Sequence, residues 1–368
     1  MNKERKVYLG LMVVISIISI ISFIAESMGK KKVGKNYIAK RIVEAKWGKR
    51  RGEVGYTPKS EIVTDSFTGE STLEVGPSCF TIDKNGNIYI VDGVNKRIQK
   101  YTSKGKLVLE FNIKLLGYDI TIDHSGNMYL VAPPVMIKEV VEGRIKGALK
   151  GCIDKYDSQG NFVKKIIHNL DFFSIQDIDF SEGNFYVTGR EKRGNAPLVQ
   201  KIFNSKWELI KTIQEKNIKK VFSDGLYDIE EKKDKIIISK YDKEGNLIKK
   251  FLKVKREPVD SYKLLWIDVN GNSYLDYEKL KVYTNKEGKE KIKTFFSGLR
   301  KIDGKGNIIS DIPFNEYHPP RKEPKPVTYY GLEKRMVFNA KGDMYYAYYY
   351  GYGTKEGRFL ITKFTFKE

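Results

Sequence analysis

The sequence predicts an all-β protein, a six-bladed β-propeller preceded by one N-terminal transmembrane helix. Three observations support this prediction: a strand–turn–strand pattern that recurs along most of the chain, a composition suited to strands, and an uncharged apolar run near the N-terminus. Among 368 residues there are 24 Tyr and 19 Phe but only 11 Pro. Aromatic-rich segments with regular glycines favour strands over helices.

The apolar run "VYLGLMVVISIISIISFIA" occupies residues 7–25 and carries no charge. Its length approaches the roughly 20 residues that a helix needs to cross a bilayer. Basic residues within positions 1–6 precede it, as in a signal sequence, but the run is longer than a usual cleaved signal core. We therefore expect an uncleaved anchor, with cleavage near the small residues Ala25 and Ser27 as the alternative.

The charges around this run conflict over the orientation of the anchor. Residues 26–39 form a basic linker that outweighs positions 1–6, and the positive-inside rule would then keep the following domain in the cytoplasm. Short anchors with a basic start commonly export the domain behind them, so we expect a membrane-anchored, single-pass protein with an extracytoplasmic propeller. On either side, contacts to anionic lipid headgroups are expected from Lys30, Lys31, Lys32 and Lys35.

Residues 40–368 repeat a hairpin pattern. The segment "FTIDKNGNIYIV" from Phe80 recurs in altered form from Ile120, Ile178, Trp266 and Val337. Its Gly and Asn tolerate the positive φ of a tight turn. A second hairpin, such as "IDKYDSQGNFVKKI", alternates with the first. One hairpin of each kind makes a four-stranded unit of roughly 40 residues, which is typical of a propeller blade.

Six inner hairpins can be counted, although five or seven blades remain open. The fourth inner hairpin lacks the Gly-Asn turn and is placed around Ile229. Insertions in the second and fifth blades, at residues 133–150 and 279–298, are expected as loops. The ring is expected to close with an outer strand from residues 41–56 beside the C-terminal "FLITKFTF".

Residues 76–111 contain a specific set of polar, glycine and aromatic positions, namely Gly76, Pro77, Asp83, Gly86, Asn87, Tyr89, Asp92, Asn95, Arg97, Ile98 and Tyr101. In this pattern they resemble an NHL repeat. The resemblance is weaker over residues 118–165 and beyond, where Asp92, Asn95 and Arg97 have no full counterpart. It implies a six-bladed β-propeller, a fold that serves as a binding scaffold and, less often, as an enzyme.

No catalytic, cofactor-binding or metal-binding residue is assigned from the sequence. The segment "DKNGN" departs from a calcium loop because Gly86 stands at position 4 and Val94 at position 12, which favours a structural turn. With three histidines in the chain, a His-rich metal site is not expected. A carboxylate and Asn site in the central channel stays open. Cys79 and Cys152 are expected to be small buried residues.

Three further segments allow a binding or a structural interpretation. In a strand, the run "MYYAYYYGYG" would place on one face Tyr346, Tyr348, Tyr350 and Tyr352. Such a row can stack on a ligand or pack between blades. The Pro-rich residues 318–327 suggest a solvated loop. Residues 46–53, "KWGKRRGE", either contact lipid or nucleic acid or form a turn at the ring closure.

The chain carries 67 Lys and Arg against 46 Asp and Glu, a net charge of +21. Such a field attracts anionic partners, although scattered lysines can also simply solvate the surface. The sequence therefore suggests a membrane-tethered binding or scaffold module for a protein or an anionic envelope polymer, without a cofactor. The alternatives are an extracytoplasmic lyase or lactonase-type hydrolase with its site in the channel, and a nucleic-acid-binding propeller.

Overall fold

The structure is a computed structural model. It describes residues 37–56, 63–64, 71–72, 76–114, 117–141, 144–167, 170–194, 196–214, 220–222, 225–232, 235–242, 246–255, 261–284, 290–313, 336–350 and 357–367. The chain divides into a large compact unit, Ala39–Thr365, and a second unit of residues 1–38 and 366–368. The predicted transmembrane segment and the four linker lysines lie outside the described residues. None of the described residues belongs to a helix that is long and apolar enough to cross a membrane.

Three strands precede the first blade: β1 (Tyr37–Lys46), β2 (Val63–Thr64) and β3 (Ser71–Thr72). Blade 1 consists of β4 (Cys79–Ile82), β5 (Ile88–Asp92), β6 (Arg97–Tyr101) and β7 (Leu107–Asn112). Blade 2 consists of β8 (Asp119–Ile122), β9 (Met128–Val141), β10 (Arg144–Tyr156) and β11 (Phe162–Ile166). Blade 3 consists of β12 (Ser174–Ser181), β13 (Asn184–Arg190), β14 (Leu198–Phe203) and β15 (Leu209–Gln214).

Blade 4 consists of β16 (Lys220–Phe222), β17 (Gly225–Glu231), β18 (Lys235–Tyr241) and β19 (Leu247–Lys255). Blade 5 consists of β20 (Ser261–Ile267), β21 (Ser273–Thr284), β22 (Glu290–Ile302) and β23 (Ile308–Pro313). Blade 6 combines β24 (Met336–Phe338), β25 (Met344–Tyr350) and β26 (Arg358–Phe366) with β1, in the order β1-β26-β25-β24. The first five blades keep sequential strand order, as in a meander.

Neighbouring blades pack against one another around a ring. The innermost strands β4, β8, β12 and β16 contact one another in sequence, and β24 contacts β4. Blade 4 shares a core with blade 5, in which Ile236 and Ile238 pack with Leu264. Blade 5 meets blade 6 where the rings of Trp266 and Phe338 stack at 5.9 Å. The prediction of an all-β, six-bladed propeller is confirmed.

Two local predictions are corrected. The insertions in blades 2 and 5 are strands, not loops, for most of their length. In blade 2, β9 extends to Val141 and β10 begins at Arg144; in blade 5, β21 extends to Thr284 and β22 begins at Glu290. Added residues thus extend existing hairpins, whose ladders satisfy the backbone hydrogen-bonding groups. Residues around Ile229 form β17, the second strand of blade 4, so the inner hairpin of this blade, which β16 and β17 form, starts earlier than expected.

Blade 6 takes its outer strand from the N-terminal part of the described chain. β1 lies next to β26 and starts at Tyr37, earlier than the Arg41 expected from the sequence. Val43 and Ala45 of β1 are buried with Phe80 and Ile90 of blade 1. The same core therefore contains residues from the closing strand and from the first blade, which fixes where the ring is completed.

Candidate functional site

The "DKNGN" turn uses its own carboxylate internally. Asp83 Oδ1 accepts hydrogen bonds from the backbone N–H of Asn85 and Asn87, both at 2.9 Å. Asp83 Oδ2 accepts from Asn87 Nδ2 at 2.8 Å and from the Tyr89 hydroxyl at 3.1 Å. Each oxygen thus has two protein donors pointing at it, whereas a calcium ligand must offer its lone pairs to the ion. The arrangement supports the structural interpretation of this turn.

The same bonding recurs in other blades. Asp123 and Asp268 each accept hydrogen bonds from the backbone N–H and side-chain amide of the asparagine four residues on. The Tyr129 hydroxyl also donates to Asp123, and the Tyr274 hydroxyl to Asp268. Burial, reinforced by the adjacent carboxylate, raises the pKa of both tyrosines, so they remain donors at neutral pH. Within the described ranges, no group of three or more His, Cys, Asp or Glu side chains could hold a metal ion.

A different constellation lies at the other end of β5 and β6. Asp92, Asn95 and Arg97, which distinguish the first repeat from later ones, bind the segment of residues 47–55 that follows β1; we call this segment the closing loop. Arg97 donates to the carbonyls of Glu53 at 2.6 Å and Lys49 at 3.0 Å. The role of these residues is thus to hold the closing loop against blade 1.

Further bonds complete this attachment. Asn95 Nδ2 donates to the Gly48 carbonyl at 2.8 Å, and the Gly55 N–H donates to Asp92 Oδ1 at 3.0 Å. Gln99 Nε2 donates to the Glu53 carbonyl at 2.6 Å. Backbone groups of the closing loop are therefore satisfied by blade 1 side chains at several points along its length, which leaves the loop little conformational freedom.

The ion pair at the centre of this attachment is buried. Arg97 Nε lies 3.0 Å from Asp92 Oδ2, and the two side chains are 6% and 0% exposed. Arg97 also pairs with Glu110 at 3.3 Å. Burial raises the pKa of Asp92, while hydrogen bonds from Asn95 and the charge of Arg97 oppose that rise. Removing Arg97 would leave the Asp92 carboxylate as an uncompensated charge in a dry environment.

The closing loop and the residues beside it present a group of cations to solvent. This group of exposed side chains, which we call the basic patch, consists of Lys46, Lys49, Arg50, Arg51 and Lys96. Two acids lie beside these cations: Glu53 Oε2 accepts the Arg50 N–H, and Glu110 accepts hydrogen bonds from Arg97, Gln99 and the Gly52 N–H. The patch thus offers positive charge on a backbone that is already ordered, a combination suited to an anionic ligand.

The tyrosine run is partly buried. Tyr346 and Tyr348 share one face of β25, with ring centroids 6.1 Å apart, and Tyr346 is only 2% exposed. On the opposite face, Tyr345 and Ala347 pack in the core shared with blade 1. The side chain of Tyr350, and Tyr352 altogether, lie outside the described residues. For Tyr346 the burial favours a packing role over a ligand platform.

Sequence reasoning anticipated a turn or a contact surface in residues 46–53 but missed its attachment to Asp92, Asn95 and Arg97. One signal pointed to it: these three residues occur together only in the first repeat, and the first blade adjoins the chain that follows the closing strand. Residues that occur in a single repeat are expected to form a contact that a single blade makes, here the contact with the closing loop.

No protein-family model matches the chain. No curated protein matches it either. Among solved structures the chain is similar to the hydrazine synthase of Kuenenia stuttgartiensis, with 13% identity, coverage of 73% of this chain and 72% of that chain, and a TM-score of 0.42. It is also similar to a luciferin-regenerating enzyme (12% identity, 78% and 91%, TM-score 0.42) and to a streptogramin B lyase (10%, 89% and 97%, 0.40). Neither a family nor an activity follows from similarities at this level.

Proposed function

We propose that the protein is a membrane-tethered β-propeller that binds a phosphate-bearing anionic polymer of the cell envelope through the basic patch. One observation carries the proposal: five exposed cations stand on or beside a loop whose backbone is held by the buried Asp92–Arg97 pair. A preordered cationic loop loses little conformational entropy when an extended anion binds it. The net charge of +21 adds a long-range attraction that raises the rate of encounter.

The tether and the orientation belong to this proposal. Residues 7–25 would anchor the chain, and Lys30, Lys31, Lys32 and Lys35 would lie against anionic headgroups. A reporter fused to the C-terminus, assayed in intact cells and in permeabilised cells, tests the orientation. Activity confined to the outside supports an envelope ligand, and a cytoplasmic reporter rejects it.

The binding test compares two triple variants with the same change in net charge. One replaces Lys49, Arg50 and Arg51 with Ser; the control replaces three exposed cations of blade 3 with Ser, namely Lys192, Arg193 and Lys206. The probe is fluorescently labelled polyphosphate of defined length, titrated with the full chain in detergent. Because the Arg50 contact to Glu53 uses the backbone N–H, the substitutions keep the fold of the loop.

We expect the closing-loop variant to lose about tenfold or more in affinity, while the blade 3 variant loses about twofold or less. The slope of log affinity against log salt should fall by roughly two to three in the first variant, since each lost phosphate contact removes about 0.7–0.9. Equal losses in the two variants would show that binding follows net charge alone, and the basic patch would then have no special role.

A further inference from the structure

Three reactive side chains meet on the outer half of blade 2. Cys152 and Asp154 are two residues apart in β10, so they point to the same face. Lys165 of β11 is the cross-strand partner of Asp154. Its Nζ lies 3.6 Å from Cys152 Sγ and also donates a hydrogen bond to Asp154 Oδ1. The amine thus contacts both the thiol and the carboxylate.

The three groups differ in their access to solvent. Cys152 and Asp154 are buried, whereas the Lys165 side chain is 27% exposed. The Cys152 thiol donates to the Pro133 carbonyl at 3.3 Å. The second carboxylate oxygen of Asp154, Oδ2, is buried and has no hydrogen-bond partner among the described residues. Of the three groups, Lys165 is thus the one in contact with solvent, and Asp154 Oδ2 is available to accept a proton.

We propose that Cys152 and Lys165 form a reversible covalent sulfur–nitrogen cross-link when the protein meets hydrogen peroxide. In the first step the thiol sulfur is oxidised to a sulfenic acid, and the peroxide O–O bond breaks to release one water. In the second step Lys165 Nζ bonds to this sulfur, the S–OH bond breaks, and a second water leaves. Two electrons pass from sulfur to peroxide.

The proton balance involves Asp154. The Lys165 ammonium must lose two protons to become the neutral amide-like nitrogen of the S–N link; one leaves with the departing hydroxide as water, and Asp154 accepts the other. A charged pair at a buried site thus becomes a neutral pair, which removes the cost of keeping an ionised carboxylate out of water. Excess thiol reverses the link by reducing the S–N bond, and the added thiol is oxidised to its disulfide.

The rate of the reaction should depend on pH. Burial raises the pKa of the Cys152 thiol, while the positive charge of Lys165 opposes that rise. The thiol is therefore largely protonated at neutral pH, and because the thiolate is the reactive species, cross-linking should accelerate as the pH rises above 7. Because the reaction is slow at neutral pH, the cross-link should form only during sustained exposure to oxidant.

The experiment exposes the purified full chain in detergent to hydrogen peroxide, digests it, and searches for linked peptides by mass spectrometry. We expect a Cys152–Lys165 pair lighter than the sum of the two peptides by about 2 Da, the loss of two hydrogens, and its disappearance after treatment with dithiothreitol. Sulfinic or sulfonic acid at Cys152 without this pair, or a link to another lysine, would overturn the proposal.

Three variants make the test specific. Lys165→Arg keeps a cation beside Asp154 but removes the nucleophilic amine, because the guanidinium stays protonated. It should abolish the link and leave the oxidised forms of Cys152 instead. Cys152→Ser should also abolish the link, whereas Cys79→Ser, which alters the other buried thiol, should leave it unchanged. Thermal unfolding of each variant verifies the fold before oxidation, and an undiminished link in Lys165→Arg would reject the assignment.

Discussion

The inner turns of the blades and the attachment of the closing loop to blade 1 both use hydrogen bonds to a carboxylate, but they join residues at different separations along the chain. In the turn at Asp83, the carboxylate binds donors no more than six residues away. At the closing loop, Asp92 and Arg97 bind groups 37 to 48 residues away in the chain. Both sites pair a buried or half-buried aspartate with asparagine, yet the first shapes one hairpin and the second ties the closing strand to the ring.

This difference indicates where stability is concentrated. A turn can form as soon as its hairpin forms, and a defect there is expected to stay within one blade. The closing loop can form only once the N-terminal strand and the first blade have met, so its contacts carry the entropic cost of bringing distant segments together. Variants in the two regions should therefore differ in size and in the probes that detect them.

The largest effect is expected from Arg97→Met. It removes the partner of the buried Asp92 carboxylate and the donors to the Lys49 and Glu53 carbonyls. Breaking one side of a buried ion pair costs about 3–5 kcal/mol. Urea unfolding of the full chain in detergent, followed by tryptophan fluorescence, measures the loss.

The matched control is Arg300→Met in blade 5. Arg300 pairs with Asp311 through two contacts of 2.8 Å, but Asp311 is 33% exposed and regains water when its partner is removed. Its loss of unfolding free energy should be clearly smaller. Similar losses in the two variants would show that full burial at the closing loop adds nothing to what a partly exposed bidentate pair contributes.

The next effect concerns the contact between the outer turn of blade 1 and the closing strand. Gly105 has φ +84°, and a Cβ there would lie 1.8 Å from the Ile42 carbonyl oxygen of β1. Gly194 has φ +83°, but nothing lies within 4 Å of its Cβ position. Both Gly→Ala variants share the cost of a left-handed backbone, so their difference isolates the clash.

We expect Gly105→Ala to lower the free energy of unfolding by about 1–3 kcal/mol more than Gly194→Ala, the usual cost of overpacking a tight contact. Hydrogen exchange should locate the additional loosening in β1 and β7. If the two variants lose the same amount, β1 does not press on this turn in solution.

A smaller effect is expected at an inner turn. Asp268 is 1% exposed, and Asp268→Ala leaves the Tyr274 hydroxyl and the Asn270 and Asn272 donors without their acceptor. A buried donor that is left without an acceptor lowers the free energy of unfolding by about 1–3 kcal/mol. Asp157→Ala, in an exposed outer turn, should lower the stability less, because the groups that donate to Asp157 can form hydrogen bonds with water instead. A thermal unfolding series in which Asp157→Ala is the more damaging of the two would contradict this account.

The sequence predicted the parts of the fold that depend on local patterns. Alternating apolar residues around Asp-x-x-Gly-Asn turns identify the hairpins, because both signals lie within a single short segment. Where the turn signal is missing, as around Ile229, an apolar strand cannot be assigned to its place in the blade by pattern alone. The partners of Arg97 could not be identified from the sequence, because they become its neighbours only when the ring closes.

The smallest effect is expected from the pH dependence of two outer turns. Side-chain hydrogen bonds from Asn161 and Asn307 hold the pKa of Asp157 and Asp303 below the usual range. A carboxylate with a lowered folded pKa stabilises the protein above its unfolded pKa of about 4, and this contribution is lost as the pH falls through the folded value. The protein should therefore lose stability below about pH 4 partly through these turns.

The double variant Asp157→Asn/Asp303→Asn tests this without deleting the turns. Asn204 and Asn339 already occupy the same turn position, where their Oδ1 accepts two backbone N–H groups and their Nδ2 donates to an acid four residues on. In the variant this Nδ2 faces the amide of Asn161 or Asn307, so the backbone bonds are kept and one side-chain hydrogen bond per turn is lost. The variant should be slightly less stable than the natural chain at pH 7, and the gap should narrow below about pH 4, where the aspartates also become neutral. A gap that stays constant from neutral pH to well below the aspartate pKa would mean that the charge of these turns does not contribute to folding, and that their hydrogen-bond geometry alone does.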